Sequence, residues 1–220
     1  MSSGKRALQK RIAYEAARIL TELRTDNLAY ACRKAAAKYG VSRQQLMPSR
    51  EEIEQALKEQ QRLVLGDKQY NALHQLRENA LDAMQALKQF QPMLVGPVLQ
   101  GTADDNSQIE LHLQADTPEE VLFALSDLHI PWQEKQRQLT FSDGSQETVP
   151  GFRFTADGIQ FLLMVFPTGK NRKRPLDPFD HKPFQSANIK QLRALLDQQQ
   201  SADTEYYEDD FPITRETTRG

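Results

Sequence analysis

The chain has 220 residues, 39% hydrophobic and 26% charged, with a formal net charge of -2, so it fits one moderate domain or two small ones with a modest core. The longest apolar run, Phe161 to Phe166, is too short to span a bilayer, and the basic start (Lys5, Arg6, Lys10, Arg11) is followed by no apolar stretch of signal-peptide length. A single cysteine, Cys32, leaves no internal disulfide, so a soluble protein of a reducing cytoplasm is expected.

Charge is unevenly placed. Residues 1–48 carry ten Lys or Arg against three acids, a net of +7, whereas residues 201–220 carry a net of -4. A basic head and an acidic tail can attract each other or serve separate partners.

In chain order, helical periodicity comes first. Ile12, Ala16, Ile19, Leu20 and Leu23 fall at three- and four-residue spacing, which predicts a helix over about 5–23 with these residues inward. Asp26 can cap a second helix over 27–39, and Gly40 stands where a left-handed C-terminal residue is wanted. Ser49 followed by Glu52 is a capping box that opens a third helix through Leu63. A fourth is predicted over about 68–90, with Leu73, Leu76, Ala80, Met84 and Leu87 facing inward.

The pattern changes at Gln91-Pro92. Leu94 to Leu99 is apolar, and Ile109 to Leu113 alternates with period two, as a strand does. Asp116-Thr117-Pro118-Glu119-Glu120 starts a helix that carries Val121, Leu122, Leu125 and Leu128: a cap, proline in the first turn, then acids at the positive end. Ile130 to Phe141 reads as a strand with Ser142 to Ser145 as its turn. Phe152 to Thr155 and Ile159 to Phe166 flank Asp157-Gly158, a two-residue hairpin signal. A basic loop follows, then Ser186 or Asn188 caps a last helix to about Leu196, and the polar end beyond reads as disordered. The expected organisation is α+β: a helical segment over 1–91, a small mixed-sheet domain over 92–197 and an acidic tail over 198–220.

One stretch carries a motif: Leu94-Val95-Gly96-Pro97, then Gly101, then Ser107-Gln108-Ile109-Glu110-Leu111-His112-Leu113. It resembles the nucleotidyltransferase superfamily that includes DNA polymerase β. In that family a glycine turn lets backbone amides approach a triphosphate, and two carboxylates two residues apart on one strand face hold magnesium, with a third from a later strand. The resemblance implies a phosphate-binding face at Gly96, Gly101, Ser107 and Gln108, rimmed by Lys170, Arg172, Lys173 and Arg174, with Glu110 as the catalytic acid. The chain departs from the family pattern in three places. Pro97 removes a backbone donor from the turn, Gln108 replaces the first carboxylate with a neutral amide, and the strand from Ile159 to Phe166 contains no acid. A catalytically degenerate member that acts by binding a nucleotide or other ligand is therefore expected. Magnesium enters only with the alternative, an active transferase in which Asp104, Asp105 or Asp116 rebuilds a metal site around Glu110. The whole chain also resembles a group of short proteobacterial proteins, through Arg11-Ile12-Ala13, Glu15 to Arg18, Arg33 to Ala36, Pro48 with Glu51 and Glu52, and Gly101-Thr102-Ala103. That likeness implies architecture and brings no activity.

Other candidates have plainer readings beside them. Glu110 and His112 share a strand face and, with Asp104 or Asp105, could ligate one divalent ion; an outward polar stripe on a half-buried strand would look the same. Cys32 beside Arg33 and Lys34 has neighbours that lower a thiol pKa, yet a lone helical cysteine is usually a small core residue. Arg11, Arg18, Arg33, Lys34 and Lys38 make the helical head basic enough to suggest nucleic acid or a protein partner, and residues 11–42 loosely resemble a helix-turn-helix. Met47-Pro48 interrupts the position of its recognition helix.

Overall fold

The computed structural model describes residues 3–25, 27–42, 46–169 and 173–210. Four helices lead: α1 (Ser3–Leu23), α2 (Leu28–Lys38), α3 (Arg50–Leu65) and α4 (Asp67–Ala86), the last followed by a 3-10 turn, Lys88–Phe90. Then come β1 (Met93–Val95), α5 (Pro97–Gln100), β2 (Ile109–Ala115), α6 (Pro118–Asp127), β3 (Gln133–Phe141), β4 (Gln146–Ala156), β5 (Ile159–Pro167), β6 (Pro175–Leu176) and α7 (Ile189–Asp210). The class is α+β. No helix among the described residues is long and apolar enough to cross a membrane.

Local chemistry sets the helix ends. α1 stops on Arg24 at φ +47°, with the Thr25 N–H donating to the Leu20 carbonyl at 3.1 Å, a left-handed end made without glycine. That end leaves Leu23 half exposed, at 49%, instead of inward. The α2 cap is Asn27, whose side chain accepts from the Tyr30 N–H; Asp26 lies outside the described residues. Gly40 takes φ +67°, and Ser49 with Glu52 closes the expected capping box. α3 begins only after Pro48, at Arg50.

The six strands form one mixed sheet in the order β1-β2-β5-β4-β3-β6, in which β2 and β5 run parallel and every other neighbouring pair antiparallel. β3 starts later than expected, at Gln133, and β4 earlier, at Gln146. Asp157 (φ +50°) and Gly158 (φ +80°) make the tight turn into β5. At Gly151 a side chain has no room: a Cβ there would sit 2.4 Å from the Leu163 carbonyl oxygen and 2.8 Å from Met164 Sδ.

Two clusters sit on the sheet and one in the head. Ile109, Leu111, Leu113, Phe161, Leu163 and Val165 are buried with residues of α4, α6 and α7. Leu139, Phe141, Val149, Leu162, Met164 and Phe166 form a smaller cluster, the alternate residues of β5 placing it on the opposite face. The head cluster of α1, α2 and α3 is alanine-rich, around Ile12, Ile19, Leu20 and Ile53. All five inward residues expected in 68–90 are buried, and they belong to the sheet cluster. The last helix does not stop near Leu196. Leu192 and Leu196 are buried, and Gln199 extends the docking: its carbonyl accepts from Tyr70 Oη at 3.0 Å and its side chain from Arg77 Nη1 at 2.9 Å. Residues 211–220 of the acidic tail lie outside the described residues.

Candidate functional site

β1 ends at Gly96, and β2 returns antiparallel beside it, pairing Val95 with Glu110. Gly96 adopts φ +75° and ψ -159°, a conformation that suits glycine, and it turns the chain into the short helix α5. Gly96, Pro97, Gln100, Gln108 and Glu110 thereby come to line one cavity of about 450 Å³. Its other walls come from the starts of α2 and α3, from Arg137 of β3 and from the segment 177–185.

Glu110 and His112 are both buried, at 8% and 6% exposure, so they are not an outward polar stripe. The face they share is closed by neighbouring side chains: His112 lies 4.7 Å from the Phe166 ring and 5.1 Å edge-on from Phe184. Arg137 Nη1 donates to Glu110 Oε1 at 2.7 Å. His112 Nε2 stands 3.6 Å from the same oxygen, too far for a hydrogen bond, and has no hydrogen-bond partner among the described residues. Burial pushes the Glu110 carboxyl up, but the His112 ring and the Arg137 guanidinium outweigh it and hold the group below the usual carboxylate range. A carboxylate so stabilised is a weak general base.

The segment 177–185, a strap along the cavity wall, is tied to the head. Arg50, at the first turn of α3, is buried and pairs with Glu54 at 3.1 Å, with Asp177, and with Asp180 at 3.6 Å, while its guanidinium lies 5.6 Å over the Phe179 ring. Asp177 also shapes its own turn by accepting from the Phe179 N–H at 2.8 Å. Lys182 adds contacts to Glu51 at 3.6 Å and Asp180 at 3.9 Å. These pairs tie the head to the chain that follows β6.

The remaining sequence-derived positions are dispersed. Gly101 (φ +80°) ends α5, with Arg77 and Lys58 as its neighbours. Ser107 bonds Asp104 within a turn, donating to Asp104 Oδ1 at 3.1 Å and accepting from the Asp104 N–H at 3.0 Å, beside a separate cleft of about 60 Å³. Asp105 accepts from Asn106. Asp116, just past the end of β2 and six residues from Glu110, roughly 20 Å along the extended chain, accepts from Thr168 Oγ1. Lys173 pairs with Asp143 and Glu147, each at 2.9 Å, and the Arg174 N–H donates to Ser142, so the described part of the basic loop serves the β3–β4 turn. Lys170 and Arg172 lie outside the described residues. Among the described residues no group of three or more His, Cys, Asp or Glu is arranged to hold a metal ion.

In the head, burial pushes the Cys32 thiol up against the opposing pull of Arg33, as for a packed core cysteine. Arg18 and Lys38 both bind Glu15, Arg11 lies 4.8 Å over the Tyr39 ring, and Lys34 lies over Tyr30, so several of the basic residues are engaged within the head.

Arg137 and Arg50 pair with the site's buried and half-buried carboxylates, and sequence reading passed over both. Arg137 is one of several polar residues on an alternating strand. Arg50 follows a cap and reads as an ordinary first-turn residue. The sequence matches no protein-family model and no curated protein.

Proposed function

We propose that this protein carries a nucleotidyltransferase-like domain that has given up transfer and binds a nucleotide-class ligand in the cavity between its helical head and its sheet. The observation that carries this reading is the state of Glu110. It lines the cavity beside Gly96 and Gln108, yet its Oε1 is taken by Arg137 at 2.7 Å. The β1–Gly96–α5–β2 order supports the family likeness, since a glycine turn is followed by an antiparallel strand carrying the acid. The cavity volume falls in the range of about 300–1,000 Å³ that small-molecule sites occupy. Neutral Gln108 and an arginine-bound Glu110 supply little for two magnesium ions.

Calorimetric titration with the four common ribonucleosides and their 5′-triphosphates, with and without magnesium, tests the reading. Binding of at least one, with no transfer of label to protein or RNA, is expected. Silence from every ligand sinks it. Label transfer that disappears in Glu110→Gln replaces it with the transferase alternative.

A further inference from the structure

The charged groups that line the cavity already have partners of opposite sign. Arg50 is held by Asp177, Asp180 and Glu54, Arg137 by Glu110, and Lys182 by Glu51 and Asp180. The lining carries three cations (Arg50, Arg137 and Lys182) and four acids (Glu51, Glu110, Asp177 and Asp180), so its formal charge is -1. A polyphosphate entering here would compete with carboxylates already on each cation and face a lining whose net charge has its own sign. The start of α3, elsewhere a natural seat for an anion, already has Glu51 and Glu52 in its first turn.

The uncharged groups are in the opposite condition. Gln100 and Gln108 are half-buried on the cavity wall, and their amides make no hydrogen bond among the described residues. Each amide presents a donor and an acceptor side by side, the pattern that reads the edge of a nucleobase. The rings of Phe179 and Phe184 contribute apolar surface to the same lining, and Phe184 is steadied edge-on by His112. Flat ligands gain most from such surfaces.

We infer that the cavity takes an uncharged planar heterocycle with adjacent donor and acceptor groups, the base of a nucleoside being its representative, with Gln100 and Gln108 reading the ring edge. Any phosphate on the ligand stays outside the paired charges and adds nothing to affinity. This rests on the binding reading above and narrows it from nucleotide to base.

The test compares adenosine, guanosine, cytidine and uridine with their 5′-triphosphates by calorimetry on the full chain. At least one nucleoside binds, its triphosphate binds no more tightly, and added salt leaves the affinity unchanged. Gln100→Leu and Gln108→Leu each weaken nucleoside binding about tenfold, the loss of one good amide–base contact. Neither amide holds the fold together, so the melting temperature stays put. Should a leucine variant misfold, Gln108→Glu keeps the size, removes the donor and weakens binding likewise. A triphosphate that binds tenfold or more tightly than its nucleoside overturns this inference and leaves the binding reading standing. Nucleoside affinity indifferent to all the glutamine variants overturns it as well. Silence from both ligand sets takes the parent reading down with it.

Discussion

The two sides of β2 are both buried and chemically opposite. Ile109, Leu111 and Leu113 on one side are fully buried in the cluster shared with α4, α6 and α7. Glu110, which lines the cavity, and His112 on the other are nearly as buried, yet they carry a carboxylate and an imidazole. Apolar burial stabilises without needing partners, whereas a buried carboxylate is tolerable only if something repays its lost hydration. Here Arg137 repays it from β3, outside the β1–β2 unit that carries the motif. One side of the strand holds the fold together, and the other consumes some of that stability to keep a polar floor under the cavity.

The largest effect comes from breaking the apolar side. Leu111→Ala removes a fully buried side chain from the main cluster and should cost about 2–5 kcal/mol, the range for a large-to-small change in a rigid core. Urea unfolding followed by circular dichroism measures it. A cost below about 1 kcal/mol would mean that this side of the sheet relaxes and is not a rigid support.

Next comes the polar side. Arg137→Ala leaves the Glu110 carboxylate buried with only His112 beside it. Breaking a fully buried pair costs about 3–5 kcal/mol, but Arg137 is 39% exposed, so solvent screening reduces the expectation to about 1–3 kcal/mol. The pH dependence has a definite sign. The folded-state pKa of Glu110 is depressed, so its contribution is fully present above the ordinary carboxylate pKa and is lost as pH falls through the folded value. The gap between wild type and Arg137→Ala should therefore be widest near neutral pH and close on acidification below the usual carboxylate range. A gap that widens in acid reverses the assignment.

This asymmetry explains what could be read from sequence and what could not. The buried sides of α4 and β2 were legible because apolar residues repeat at helical and strand periods, and the only partner they need is an apolar surface. Gly40, the Ser49–Glu52 box and the Asp157-Gly158 turn were legible because each satisfies a local backbone requirement. Leu23 was misplaced because Arg24 ends α1 in a left-handed turn without glycine to announce it. The candidate site was legible only where the motif is local: Gly96, Gln108 and Glu110 share the cavity, but Gly101 and Ser107 serve turns elsewhere. Arg137 lies 27 residues from Glu110 in sequence, and Arg50 meets Asp177 across more than half the chain. Such pairings follow from sheet order and the strap, which periodicity does not encode.

The smallest effect sharpens the comparison most. Glu110→Gln keeps the shape of the side chain and an oxygen that Arg137 can still reach, and it removes the buried charge. The arginine left behind is 39% exposed and can turn to water, so nothing charged is stranded. The expected cost is below about 1 kcal/mol, clearly less than that of Arg137→Ala, although the two substitutions break the same ion pair. This inequality follows from where the two charges sit, one on the floor and one on the rim. Equilibrium unfolding of both variants under one condition measures it. Equal costs would mean that the pair acts as a symmetric surface bridge. A larger cost for Glu110→Gln would mean that the carboxylate charge is needed for more than neutralising Arg137, and that the polar side of β2 does not merely draw on stability supplied by the apolar one.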